Sequence, residues 1–126
     1  MEEGSPVASS PIRTTFSTCA VEVETTSDNV VVSLSGELDM GDADQVGGIL
    51  VSAAEAGKPA VCVRLDALTF ADSSAIKALL IGAKAAEDRG IGFELVNPRG
   101  LVNRLLEVTG LNLAMTVVHD TDSAPS

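Results

Sequence analysis

The chain has 126 residues, 45% of them hydrophobic but only 2% aromatic, with no Trp and no Tyr, so one domain with an aliphatic core is expected. Eight Lys and Arg against eighteen Asp and Glu leave a formal charge of −10. That balance opposes non-specific binding to nucleic acid or to an anionic membrane, the scarcity of aromatics weakens any reading that needs base-stacking platforms, and a partner with a basic patch fits better.

The two cysteines, Cys19 and Cys62, are too far apart in sequence to suggest a metal-ligand spacing or a disulfide framework. Cys62, inside Val61-Cys62-Val63, reads as a small buried hydrophobe, and a redox role for either thiol stays open. The start, Met1-Glu2-Glu3-Gly4-Ser5-Pro6, lacks the basic and then apolar pattern of a secretory signal, and no apolar run is long enough to span a membrane. A soluble, cytoplasmic protein without cofactor or metal is expected.

In chain order, residues 1–17 are rich in Ser, Thr and Pro and read as a flexible tail; residues 18–119 read as the folded domain and 120–126 as a second flexible tail. Cys19 to Thr25 alternates, with Cys19, Val21 and Val23 against Glu22 and Glu24, as a half-buried strand does. Ser27-Asp28-Asn29 supplies a turn, and Val30 to Leu38 a second strand with Val30, Val32 and Leu34 inward and Ser33 and Ser35 outward. A helix follows from about Asp42 to Ala56, with Val46, Ile49, Leu50 and Ala53 as its apolar stripe, Asp42 and Asp44 at its positive end, and Gly57 and Pro59 as its stop. Ala60 to Leu65 is the third strand. Ile76, Leu79, Leu80 and Ala83 mark a second helix capped by Gly90, with Lys77, Lys84, Glu87, Asp88 and Arg89 on its wet side. Ile91, Phe93 and Leu95 mark the fourth strand. Asn97-Pro98 opens a third helix, Pro98 near its first position, with Leu101, Val102, Leu105, Leu106 and Val108 on the buried face and Gly110-Leu111 closing it. Met115 to Val118 is a short last strand.

The order β-β-α-β-α-β-α-β defines an α/β domain. Central strands of a doubly wound sheet read as continuous apolar runs, but these alternate, with Ser33, Ser35, Arg64 and Glu94 on the second face. A mixed β-sheet with helices packed mainly on one face is therefore expected, and a receiver-like fold, which Asp66 just after a strand invites, is not.

The informative stretch is Leu65 to Ile76. Asp72, Ser73 and Ser74 stand where a helix begins, and short oxygen-bearing side chains are favoured there because the first N–H groups lack partners. These residues read as a cap, or as a serine displayed where a phosphate would be tolerated. Asp39 reads as the cap of the first helix; Glu37 reads as a strand-end charge. His119 stands alone. No histidine lies near the serines and no phosphate-cradling glycine loop appears, so Asp39, Asp66, Asp72 and the serines do not make an enzyme.

The β-hairpin, then Gly36-Glu37-Leu38-Asp39 before one helix and Asp72-Ser73-Ser74-Ala75 before the next, resembles the STAS domain, and more narrowly the bacterial anti-sigma factor antagonists, over about residues 19–119. Gly100 to Leu111 is similar to that family's C-terminal helix. The resemblance implies a single STAS-type domain that binds an anti-sigma factor with serine-kinase activity, releases a sigma factor, is switched off by phosphorylation, and is restored by a metal-dependent serine phosphatase. Residue by residue, it puts the phosphorylated serine at Ser74, with Ser73 as the fallback. It puts Glu37, Asp39, Asp72, Ser73, Ser74, Ala75 and Ile76 in a partner-binding face, on a monomer or weak dimer. STAS domains also serve in anion transporters, stress-sensing assemblies and ligand-binding modules. Many members have Gly where this chain has Ala75, and if Gly is needed for close kinase approach, phosphorylation here would be slower.

Overall fold

Alternation along Asn29–Leu38 sets the layers: Val30, Val32, Leu34 and Leu38 are all at most 1% exposed, while Ser33 and Ser35 lie on the other side, half-buried. The computed structural model describes residues 11–119. Its elements are β1 (Ile12–Thr15), β2 (Cys19–Thr25), β3 (Asn29–Leu38), α1 (Met40–Ala54), β4 (Ala60–Ala71), α2 (Ser73–Asp88), β5 (Gly92–Val96), α3 (Gly100–Thr109), α4 (Leu111–Ala114) and β6 (Thr116–Val118). The six strands form one sheet in sequential order. β1, β2 and β3 pair antiparallel, and β3 through β6 pair parallel, so the sheet is mixed as expected.

α1 and α2 pack against each other and against the central strands. Their buried stripes, Val46, Leu50 and Ala53 on α1 and Ala75, Ile76, Ala78, Leu79 and Ala86 on α2, meet Val32, Val61, Val63, Leu65 and Leu95 in one core. Close approach of the helices requires Gly82, because a Cβ there would stand 2.7 Å from Leu50 Cβ and 3.1 Å from the Phe93 ring. The opposite face carries a polar group. Asp66 accepts from Arg64 and from the Asn97 side chain, each at 2.9 Å. Burial pushes the Asp66 carboxyl up, but the hydrogen bonds from Asn97 and Arg64 outweigh it and hold the pKa below its ordinary value.

Several boundaries differ from the sequence reading. Ile12–Thr15 forms an edge strand inside the stretch read as tail, pairing Ile12 with Val23 and Thr14 with Val21. A Ser/Thr/Pro-rich composition hid that β-branched run, whose four residues are all exposed. The rest of the N-terminal tail, residues 1–10, and the C-terminal tail, 120–126, lie outside the described residues. β4 continues past Leu65 to Ala71, absorbing the polar Asp66 through register shifts opposite β3. Asp66 is thus within a strand rather than after one. α1 begins earlier than expected, at Met40, whereas α2 begins at Ser73, directly after Asp72, as the cap reading expects. Pro98 does not open α3: Asn97 takes φ +56°, donates its N–H to Val118 O at 2.8 Å, and delays the helix to Gly100. On α3 only Val102 and Leu106 are buried; Leu101 and Val108 are 66% and 74% exposed. Leu80, read as part of the α2 stripe, is exposed too. Gly110 closes α3 in the left-handed conformation with Leu111 buried behind it, and a single extra turn, α4, follows.

Asp42 ties the N-terminal hairpin to α1. It is 1% exposed, and its two oxygens accept from Ser17 N (3.2 Å), Ser17 Oγ (2.8 Å), Thr18 N (2.9 Å), Thr18 Oγ1 (3.3 Å) and Cys19 N (3.0 Å). The Thr18 N–H, with the other donors, lowers its pKa from the ordinary 3.8 against the opposing effect of burial. A carboxyl depressed in the folded state contributes stability that is fully present above its unfolded pKa and lost as pH falls through the folded value. Acidification below about pH 4 should therefore reduce the urea midpoint of the wild type steeply. Asp42→Asn should lower that midpoint at neutral pH and flatten its acid limb; an unchanged limb would show that Asp42 is not the coupled group.

Gly36 has φ +88°, and a Cβ there would overlap the Thr18 carbonyl oxygen. Gly36→Ala is predicted to cost about 2–3 kcal/mol in urea unfolding, from backbone strain plus the displaced β2 start.

Candidate functional site

Parallel pairing brings the ends of β3 and β4 together, with Leu38 beside Ala71 and the Asp72 N–H donating to Leu38 O at 3.4 Å. Each strand then runs straight into a helix through an aspartate. Asp39 Oδ1 accepts from Gly41 N at 2.9 Å, capping α1. Asp72 Oδ1 accepts from Ser74 N at 2.9 Å and Ala75 N at 3.3 Å, capping α2. Two helix N-termini, each carrying the positive end of a peptide dipole, thus lie at one edge of the domain with an acidic side chain on each.

The two short motifs divide their labour. In Gly36-Glu37-Leu38-Asp39, Gly36 lets the β2 start approach, and the Glu37 N–H donates to Thr18 O at 2.9 Å. Glu37 is exposed, Leu38 is fully buried and Asp39 caps. In Asp72-Ser73-Ser74-Ala75-Ile76, Asp72 caps, Ser73 is exposed and Ser74 is half-buried. Ala75 and Ile76, at 1% and 9% exposure, turn into the core. Of the residues singled out from sequence, the structure therefore brings Glu37, Asp39, Asp72, Ser73 and Ser74 together at the surface, with Ala75 and Ile76 beneath them as support.

Two apolar side chains at this edge were missed. Met40, the first residue of α1, is 77% exposed; Phe70, paired with Glu37 across the strands, is 41% exposed. Met40 was hidden because Asp42 looked like the helix start. Phe70 was hidden because its outward direction depends on the register shifts in β4, which have no sequence signature here.

The arrangement can present a hydroxyl to an incoming group, and the carboxylate next to the serines, Asp72, is engaged in capping α2. His119 is exposed at the end of the described chain. Among the described residues, no group of His, Cys, Asp and Glu could hold a metal ion. Burial pushes the Cys19 thiol up to about 11, and burial together with Glu94 raises Cys62, so both are held away from the thiolate form that reacts. No helix among the described residues is long and apolar enough to cross a membrane.

The family model described as Mlab, STAS domain matches residues 21–118. Among solved structures, an anti-sigma factor antagonist from Mycobacterium paratuberculosis is similar at 29% identity and TM-score 0.71, over 85% of this chain and 91% of that one. The phosphorylated form of the Bacillus cell fate determinant SpoIIAA shares the fold at TM-score 0.63 and 23% identity, over 82% and 95%. So does a sulfate transporter family protein from Wolinella succinogenes, at TM-score 0.63 and 22% identity, over 75% and 79%. No curated protein matches the chain in sequence. The match over most of the chain agrees with the mixed sheet and with the two aspartate-capped helices at the ends of β3 and β4, and this chain belongs to the STAS-domain family.

Proposed function

We propose that the chain is an anti-sigma factor antagonist. Unphosphorylated, it binds an anti-sigma factor that is also a serine kinase and so frees a sigma factor. Phosphorylation of Ser74, with Ser73 as the fallback, breaks the complex, and a serine phosphatase restores it. The chain acts in the cytoplasm by binding rather than by catalysis. The observation that carries this reading is the cap at Asp72, which sets Ser73 and Ser74 in the first turn of α2 beside the capped start of α1. The likeness to the mycobacterial antagonist, at 29% identity, supports it.

The physics of the switch is local. A phosphoserine brings about −1.5 to −2 charge. At Ser74 it would meet the positive end of α2, which favours it by about 1 kcal/mol, so the fold survives. On the surface it would join Asp72, Asp39 and Glu37. One like-charge contact at about 4 Å and an effective dielectric of about 20 costs roughly 4 kcal/mol, or about a thousandfold in affinity.

A second reading keeps the fold and drops sigma-factor control: a STAS module in a stress-sensing or ligand-binding assembly. Its support is the shared fold of the sulfate transporter family protein. Titration against the cognate anti-sigma factor kinase, with ADP and then with ATP, separates the two. Ser74→Ala should bind in ADP and stay bound in ATP, while Ser74→Asp should bind at least a hundredfold more weakly. Absence of wild-type binding would favour the second reading; normal ATP-driven release of Ser74→Ala would move the site to Ser73.

Because Ala75 is buried, its methyl group supports the core instead of facing a kinase. Ala75→Gly should therefore leave the phosphorylation rate within about twofold and cost about 1 kcal/mol of stability. A marked acceleration in a radiolabelled-phosphate time course would show that the methyl group does hinder approach.

A further inference from the structure

We infer that Met40 and Phe70 are the apolar anchors of the partner interface, and that the partner presents an apolar socket bordered by basic side chains. This rests on the proposed role as an antagonist.

Large exposed apolar residues are ordinary singly, but these two belong to the same seam, Met40 just past the end of β3 and Phe70 one residue before the paired end of β4. The register puts Phe70 beside Glu37 and Ala71 beside Leu38, while Met40 follows Leu38 by only two residues. Exposures of 77% for Met40 and 41% for Phe70 mean that neither is spent on the domain's own core. An unbranched, polarizable Met and an aromatic ring are each well suited to fill a pocket on another protein.

The surroundings say what kind of pocket. Glu37 and Asp44 are exposed, and Asp39 and Asp72 half-exposed, around the pair. Asp44 lies one turn along α1 from Met40, on the same side. The cations nearest Phe70 in sequence are Arg64, six residues before it and paired with Asp66, and Lys77, seven residues after it and one turn into α2. An acidic rim around an apolar centre matches a basic rim around an apolar socket. A nucleic acid or an anionic lipid surface is opposed by the same charges.

The two features should separate kinetically. Buried apolar anchors hold a complex and appear in dissociation, whereas exposed rim charges steer encounter and appear in association and salt dependence. The test is surface plasmon resonance with the cognate anti-sigma factor kinase in ADP, at several salt concentrations, with unchanged thermal denaturation of each variant as the folding control. Met40→Ser and Phe70→Ser should each weaken binding about tenfold or more through faster dissociation, with the salt slope kept. The double variant Glu37→Gln with Asp44→Asn should slow association several-fold and flatten the salt slope. Leu113→Ser, at an 88% exposed site on α4, should bind like wild type. Wild-type binding with Met40→Ser and Phe70→Ser unaffected would overturn the anchors and leave the antagonist role standing. Absence of wild-type binding would overturn both.

Discussion

The parallel pairing of β3 with β4 is the constraint on which the rest of the molecule depends. Because both strands point the same way and end level, the helices that follow them start side by side. The hydrogen bond from the Asp72 N–H to Leu38 O joins one motif directly to the other. Neither an antiparallel pair nor a slipped register would put two capped N-termini at one edge. The function proposed here needs that juxtaposition, since a phosphate on α2 must change a surface that includes the start of α1.

Stability and the proposed function draw on the same short segments. Asp39 and Asp72 satisfy orphan N–H groups and also provide the negative character of the surface. Gly36 admits the Thr18 carbonyl, so the edge of the site is braced by the β2 start. Asp42 gathers donors from Ser17, Thr18 and Cys19 and holds that same segment against α1. A buried carboxylate with five donor contacts is a stable arrangement only because every contact is made; loss of any one exposes the cost of its burial. Neither Ser73 nor Ser74 carries this framework through its hydroxyl in any described contact, so in the proposed switch a phosphate on Ser74 would break none of these braces.

Much of the fold was legible because its signals are local. Alternation in Cys19–Thr25 and Val30–Leu38 predicted the hairpin, and Ser33, Ser35, Arg64 and Glu94 predicted the wetter second face. Asp72 before a helical stripe predicted a cap that the structure contains. The misreadings came from tertiary context. The stripe of α3 looked wholly buried, but the helix lays only Val102 and Leu106 into the core. Asn97 adopts a left-handed conformation and bonds Asp66, which no helix-start rule anticipates. Phe70 could not be assigned a direction because register shifts in β4 turn it outward. The candidate site was legible as two motifs, but the exposed Met40 and Phe70 at the same edge were not, since exposure is a property of the assembled edge rather than of any one residue.

The central claim is that Ser74 is a local switch on an unchanged fold. Its most direct test is to phosphorylate the isotope-labelled chain with the cognate anti-sigma factor kinase and ATP. Mass spectrometry then locates the phosphate, and amide NMR spectra are compared before and after. The expected result is one phosphate on Ser74, with shifts confined to the start of α2, the start of α1 and the ends of β3 and β4. A phosphate elsewhere, or shifts spread through the core strands, would contradict it.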